Sequence, residues 1–175
     1  MDVGGAMNKT RMKHIALKLL LLLAVAGSSG QAIADTVTFE PFVGAWDGDG
    51  AIRFGDGAKE RMRCSALYEL RQSSGRALHL SFNCKSDKYA FVLDGNVSSD
   101  ASGTLSGQWS ETSRNIGGTV IGKVRGQRFQ VRIESSGFGA NLVVVLQDNR
   151  QRINIDSGGG GEEAQAQITL RRKRN

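Results

Sequence analysis

From Gly44 onward the chain alternates apolar and polar residues in short runs. Clusters of Gly, Ser, Asn and Asp interrupt the runs at spacings of roughly 8 to 15 residues. Alternation of period two sends successive side chains to opposite faces of an extended strand. Almost no segment after residue 34 has a helical period. The chain is therefore confined to all-β architectures with one apolar face. Ten strands are expected, at about 44–54, 59–72, 76–85, 88–97, 103–112, 115–125, 128–135, 140–147, 150–157 and 164–171. Phe39 to Val43 reads as a short helical turn leading in. The run Gly158 to Gly161 reads as a hairpin loop. Sequential hairpins without helical crossovers predict a single antiparallel up-and-down β-barrel of about 8–10 strands, whose closure removes exposed edges. A β-sandwich is the alternative.

The hairpins also fix a register. A turn at Ser73-Ser74-Gly75 sets Leu70 against Leu78, Tyr68 against Leu80, Ala66 against Phe82 and Cys64 against Cys84. All eight side chains then share one face. The other face carries Arg61, Arg63, Ser65, Glu69, Arg71, His79, Ser81, Asn83 and Lys85, with Leu67 the exception. A one-residue slip would exchange the two sets. A turn near Ser86-Asp87 predicts Cys84 opposite Tyr89, Phe82 opposite Phe91 and Leu80 opposite Leu93. Gly126-Gln127 suits a type II′ turn and predicts Val124 opposite Phe129, Gly122 opposite Val131 and Val120 opposite Ile133.

Directly opposed cysteines in an exported chain predict one disulfide, Cys64–Cys84. Closing a loop of that size is worth about 3 kcal/mol on the chain-entropy model. A reactive thiol would need activating neighbours, and no His lies near either Cys in sequence.

Export is read from the N-terminus. Lys9, Arg11 and Lys13 precede an apolar run from Ile15 to Ala26, and Ala32-Ile33-Ala34 has the small-x-small form of a cleavage site. Residues 1–34 are thus expected to be a secretory signal peptide cleaved after Ala34, with translation starting at Met1 or Met7. The run is shorter than the ~20 residues a membrane-spanning helix needs. The mature chain is expected to be periplasmic or secreted and not an integral membrane protein. It divides into a barrel domain, 35–170, and a basic C-terminal tail, 171–175.

The formal charge of the whole chain is +6. Removing residues 1–34 leaves 19 basic and 16 acidic side chains, and four of the 19 are Arg171, Arg172, Lys173 and Arg174. The barrel itself is nearly neutral, so no nucleic-acid partner is expected. The tail is expected either to lie solvated or to touch an anionic surface or an envelope protein.

Gly44-Ala45-Trp46 opens the first strand, and Gly107-Gln108-Trp109 recurs in the fifth. A G-x-W at the first strand of a small secreted barrel resembles the calycin group of lipocalins, fatty-acid-binding proteins and avidins. In lipocalins that Trp closes the barrel floor and an Arg of the last strand lies across it. The resemblance implies a cation–π contact of Arg171 or Arg172 with Trp46. The stretch Gly95 to Gly122, with Trp109 and Arg114-Asn115, is similar to the middle of avidins but lacks the full set of biotin contacts, so no biotin binding is expected.

Trp46, Tyr68, Phe82, Tyr89, Phe91, Trp109 and Glu111 are the candidate ligand-lining residues, Tyr68, Tyr89 and Glu111 being the polar handles. Inward-facing Gly48, Gly50, Gly118 and Gly122 either make room for large aromatics in a filled barrel or leave space for a ligand. Asp47-Gly48-Asp49-Gly50 lacks the length and distal Glu of a calcium loop, so no metal or cofactor is expected. The mature chain has one His, His79, on the predicted outer face, and no G-x-S-x-G or phosphate-cradling loop. No catalytic residues and no enzymatic activity are expected. The functional expectation is an exported barrel that binds a small apolar ligand inside. The alternative is a protein-interaction or inhibitor module of the cell envelope that acts through its loops.

Overall fold

The computed structural model describes residue 1 and residues 37–158 and 163–174. Residues 2–34 of the segment expected to be a signal peptide, and residues 159–162 of the Gly-rich loop, lie outside the described residues. A 3-10 turn over Glu40–Phe42 leads into ten strands: β1 Gly44–Phe54, β2 Lys59–Leu70, β3 Ala77–Lys85, β4 Ala90–Ser99, β5 Thr104–Glu111, β6 Ile116–Arg125, β7 Arg128–Ser135, β8 Phe138–Gln147, β9 Arg150–Gly158 and β10 Ala164–Arg172. Each strand pairs antiparallel with its sequence neighbours, and β1 pairs with β10 to close the barrel. The fold is thus an up-and-down barrel and not a sandwich. Because no strand is left unpaired, backbone donors and acceptors are satisfied around the whole ring.

The β2–β3 register is Cys64 opposite Cys84, Ala66 opposite Phe82, Tyr68 opposite Leu80 and Leu70 opposite Leu78. The sulfurs of Cys64 and Cys84 are bonded. In β6–β7, Arg125 faces Arg128 across Gly126-Gln127, and Val124 faces Phe129; Gly126 takes φ 51°. The β3–β4 register corrects the sequence reading by two residues. Cys84 faces Phe91, Phe82 faces Leu93 and Leu80 faces Gly95. The cause is a four-residue loop, 86–89. In it the Ser86 N–H donates to the Tyr89 carbonyl at 2.7 Å, and the Ser86 hydroxyl accepts from the Tyr89 N–H at 2.9 Å.

Neighbouring strands come closest to one another at inward glycines. A Cβ on Gly48 would sit 1.9 Å from the Thr169 carbonyl oxygen, and one on Gly118 would sit 1.7 Å from that of Glu134. Only glycine lets the neighbouring strand come so close. These two positions lie on β1 and β6, five strands apart in either direction around the ten-strand ring.

One end of the barrel is plugged. Phe39, Phe42 and Trp46 are completely buried there. Phe42 stacks on Phe129 with centroids 4.0 Å apart, and Phe39 meets the same ring edge-on at 5.4 Å. The leading segment is held by the Phe39 N–H donating to the Gly75 carbonyl at 2.8 Å and the Trp46 indole N–H donating to the Phe42 carbonyl at 2.8 Å. The basic tail expected to begin at residue 171 is corrected as well. β10 continues through Arg171 and Arg172, and the Lys173 ammonium lies 2.8 Å from Asp47.

Candidate functional site: a hollow barrel with one open end

Above the plug the barrel is hollow. A cavity of about 480 Å³ runs to the opposite end, lined on all sides by inward side chains of the strands. Tyr68, Phe82, Tyr89, Phe91, Trp109 and Glu111 all line it. Trp46 does not, which corrects its assignment as a ligand contact. It lies below the cavity floor, because the 3-10 turn folds Phe42 under the barrel and the indole N–H reaches back to it. The walls are otherwise Leu, Val, Ile, Met, Phe and Ala from every strand. Phe91, Leu93, Val131, Leu142 and Ile155 are core-facing yet only half-buried. Such exposure fits side chains that look into an open interior rather than into packed neighbours.

Polar groups sit at the two ends. At the floor the Tyr68 hydroxyl donates to the Gln151 side-chain oxygen at 3.0 Å. Burial pushes the Tyr68 phenol well above its ordinary range, so it remains a neutral donor. Gln151 is fully buried, and its amide nitrogen finds no acceptor among the described residues.

At the mouth stands Glu111, the last residue of β5, only 4% exposed. Burial by itself would raise its carboxyl. Four donors outweigh that and hold it below the usual carboxylate range. They are the Ser113 hydroxyl at 2.5 Å, the Val92 N–H at 3.0 Å, the Arg114 N–H at 2.7 Å and the Ser113 N–H at 3.2 Å. Glu111 therefore fixes the β5–β6 turn as an ionised carboxylate with both oxygens engaged.

That turn presents Arg114, whose guanidinium carbon lies 4.8 Å from the centroid of the Tyr89 ring. Tyr89 in turn packs on Phe54 at 5.7 Å. Ile116, Gly137, Phe138, Ser157 and Ala164 complete the rim. Sequence reasoning did not place Arg114, Phe138, Gln151 or Ser157 at the site. The signal available for Gln151 was its parity, since Gln151, Ile153 and Ile155 alternate along β9 with the exposed Arg152, Asn154 and Asp156.

The guanidinium of Arg172 lies 4.3 Å from the Trp46 ring centroid. It also donates to the Val43 carbonyl and, at 2.6 Å, to that of Pro41. Arg171 faces outward on the same strand. The outward His79 lies with Nε2 3.4 Å from Asp94 and Nδ1 3.2 Å from Asn96, on the wall opposite the cavity face.

Fold and cavity together define a ten-stranded, up-and-down, hollow β-barrel. No protein-family model and no curated protein matches the chain. Solved structures do. The S-type phycobiliprotein lyase CPES from Guillardia theta is similar with TM-score 0.60 and 11% identity over 82% of this chain and 97% of its own. Rv2717c from M. tuberculosis is similar with TM-score 0.62 and 12% identity over 77% and 94%. At such identities the likeness is one of fold.

It does correct the expectation that the chain is not an enzyme. A barrel of this fold is by name a lyase. That expectation rested on missing nucleophile and phosphate motifs, which belong to strand–turn–helix elements this architecture does not use. Inward side chains gathered from many strands leave no such motif in the sequence.

Proposed function

We propose that this barrel takes up a small, largely apolar molecule through its open end. The cavity carries the reading: about 480 Å³ of space walled by apolar side chains, with polar groups confined to the floor and the rim. That volume falls in the range of known small-molecule sites. Export supplies the setting. The N-terminal segment has the form of a signal peptide, and a disulfide suits an oxidising compartment.

The test is titration with the neutral fluorophore N-phenyl-1-naphthylamine. Wild-type protein should show saturable, one-to-one, blue-shifted emission. Val131→Trp or Leu93→Trp, each filling the cavity from one wall, should weaken binding at least tenfold. Failure of the wild type to bind, or unchanged affinity in both filled variants, would overturn the reading.

A second reading concerns the outer surface. Arg150, Arg152 and Arg171 share a shallow groove with Gln147, Asp148 and Asn149. Arg150 stands directly opposite Arg171 in the ladder, and like charges so placed repel. An anionic lipid surface would relieve that repulsion.

A further inference from the structure

We infer that the ligand of this cavity is an amphiphile with one anionic group, bound with its head at Arg114 in the mouth and its apolar body towards Tyr68. The inference rests on the interior-ligand reading above and adds the ligand's charge and orientation.

Arg114 is the only cation among the described residues that line the cavity, and Glu111 the only acid. They form only a loose ion pair, with no hydrogen bond from the guanidinium to the carboxylate. Their closest approach is 4.0 Å, and both Glu111 oxygens already accept from Val92, Ser113 and the Arg114 backbone. Among the described residues the Arg114 guanidinium makes no hydrogen bond of its own. It is nonetheless held in place. Its backbone N–H is fixed by Glu111, and its charged plane lies against the Tyr89 ring. Its side chain remains 43% exposed. A guanidinium presents five N–H donors in a rigid fork that matches a carboxylate, sulfate or phosphate. At the rim it can hold such a group without the full desolvation cost a charge would bear deep in the barrel.

Among the described residues the floor offers no comparable cation. Tyr68 and Gln151 there are neutral, and Arg172 lies beneath Trp46, committed to the Val43 and Pro41 carbonyls. A buried anion at that end would lack a counter-charge. The polarity of the cavity therefore sets head-out, tail-in binding.

The experiment displaces N-phenyl-1-naphthylamine with decanoate and with 1-decanol at pH 7.5. Wild type should prefer decanoate by at least tenfold. Arg114→Gln should bring the ratio near one, and Arg114→Lys should keep part of the preference because it keeps the charge. Arg132→Gln, which alters an outer-face cation paired with Glu134, should leave the ratio as it is. Sodium chloride at high concentration should lower the ratio in the wild type, a readout that needs no variant to fold. Equal binding of the two probes by wild type, or a preference that survives Arg114→Gln, would overturn the inference and leave the apolar pocket standing. Failure of either probe to displace the fluorophore would instead count against the pocket itself.

Discussion

Arg171 and Arg172 are neighbours in the chain, and the pleat of β10 sends them to opposite faces of the barrel wall. Arg171 ends in the outer groove beside Arg150. Arg172 ends under the barrel, on Trp46 and two carbonyls of the leading segment. Hydrogen bonds from a charged donor contribute about 1.5–3 kcal/mol each, and a cation–π contact about 0.5–2 kcal/mol. These contributions overlap, so Arg172→Ala should lower stability by about 2–4 kcal/mol, whereas Arg171→Ala should change it by less than about 0.5 kcal/mol. Urea unfolding of the two variants measures the difference. Equal effects would mean that the plug does not depend on Arg172. The resemblance of Gly44-Ala45-Trp46 to a calycin first strand pointed to this pair of arginines but left the choice between them open. The alternation of β10 resolves it, since Leu170 and Arg172 lie on one face. Sequence offered two fates for Trp46, the ligand wall and the barrel floor, without deciding between them. Whether it lines a ligand or plugs a floor depends on how residues 39–42 fold beneath it.

At the scale of elements, alternation made most of the fold legible. Faces alone limit the β2–β3 and β6–β7 registers to even offsets, because any odd slip would put Arg63 or Lys123 inside, and the turns at 73–75 and Gly126-Gln127 select the observed one. The β3–β4 register was misread by two residues, and a two-residue slip keeps every side chain on its face. Alternation is blind to such an error. It was decided by hydrogen bonds within loop 86–89 that no pattern of apolar residues reports. Close strand approach was half-legible. Inward glycines were visible, but not that several of them are approached by a neighbouring backbone. Gly118 on β6 shows the consequence. A methyl group there would lie 1.7 Å from the Glu134 carbonyl oxygen, so β7 would have to move away from β6. Overpacking typically costs about 1–3 kcal/mol, and a clash with backbone belongs at the upper end. Gly118→Ala should therefore lower stability by about 3 kcal/mol, measured by urea or thermal unfolding. Gly57→Ala, in an open turn with nothing within 4 Å of the added carbon but with φ 87°, should cost about 1 kcal/mol from backbone strain alone.

The whole molecule has an electrostatic shape that neither its net charge nor its basic C-terminus announced. The register brings Arg150 beside Arg171, Arg152 opposite Val145 and that residue opposite Arg128, and Arg128 beside Arg125. Arg125, Arg128, Arg152 and Arg171 are exposed and Arg150 half-buried. These arginines come from four strands, so the patch exists only once β6 to β10 pair. The acids beside it are Asp148 in the β8–β9 turn, Asp47 opposite Arg171 and engaged by Lys173, and Asp49 opposite Thr169, which in turn faces Arg152. Of the four basic residues at the C-terminus, Arg172 is used inside and Lys173 is paired, which shifts the burden of any surface contact onto β6 to β10. Each arginine near an anionic bilayer is worth about 1 kcal/mol. Replacing Arg150, Arg152 and Arg171 with Gln should therefore weaken binding to vesicles of phosphatidylglycerol and phosphatidylcholine by roughly 100-fold, at 1.4 kcal/mol per decade. The Debye length falls from about 10 Å at 0.1 M salt to about 3 Å at 1 M, so wild-type binding should decline steeply over that interval. Co-sedimentation across a salt series reads both effects. Binding that ignores salt, or a triple variant that sediments like wild type, would remove the arginine face as a docking surface and leave the cavity as the functional feature of the barrel.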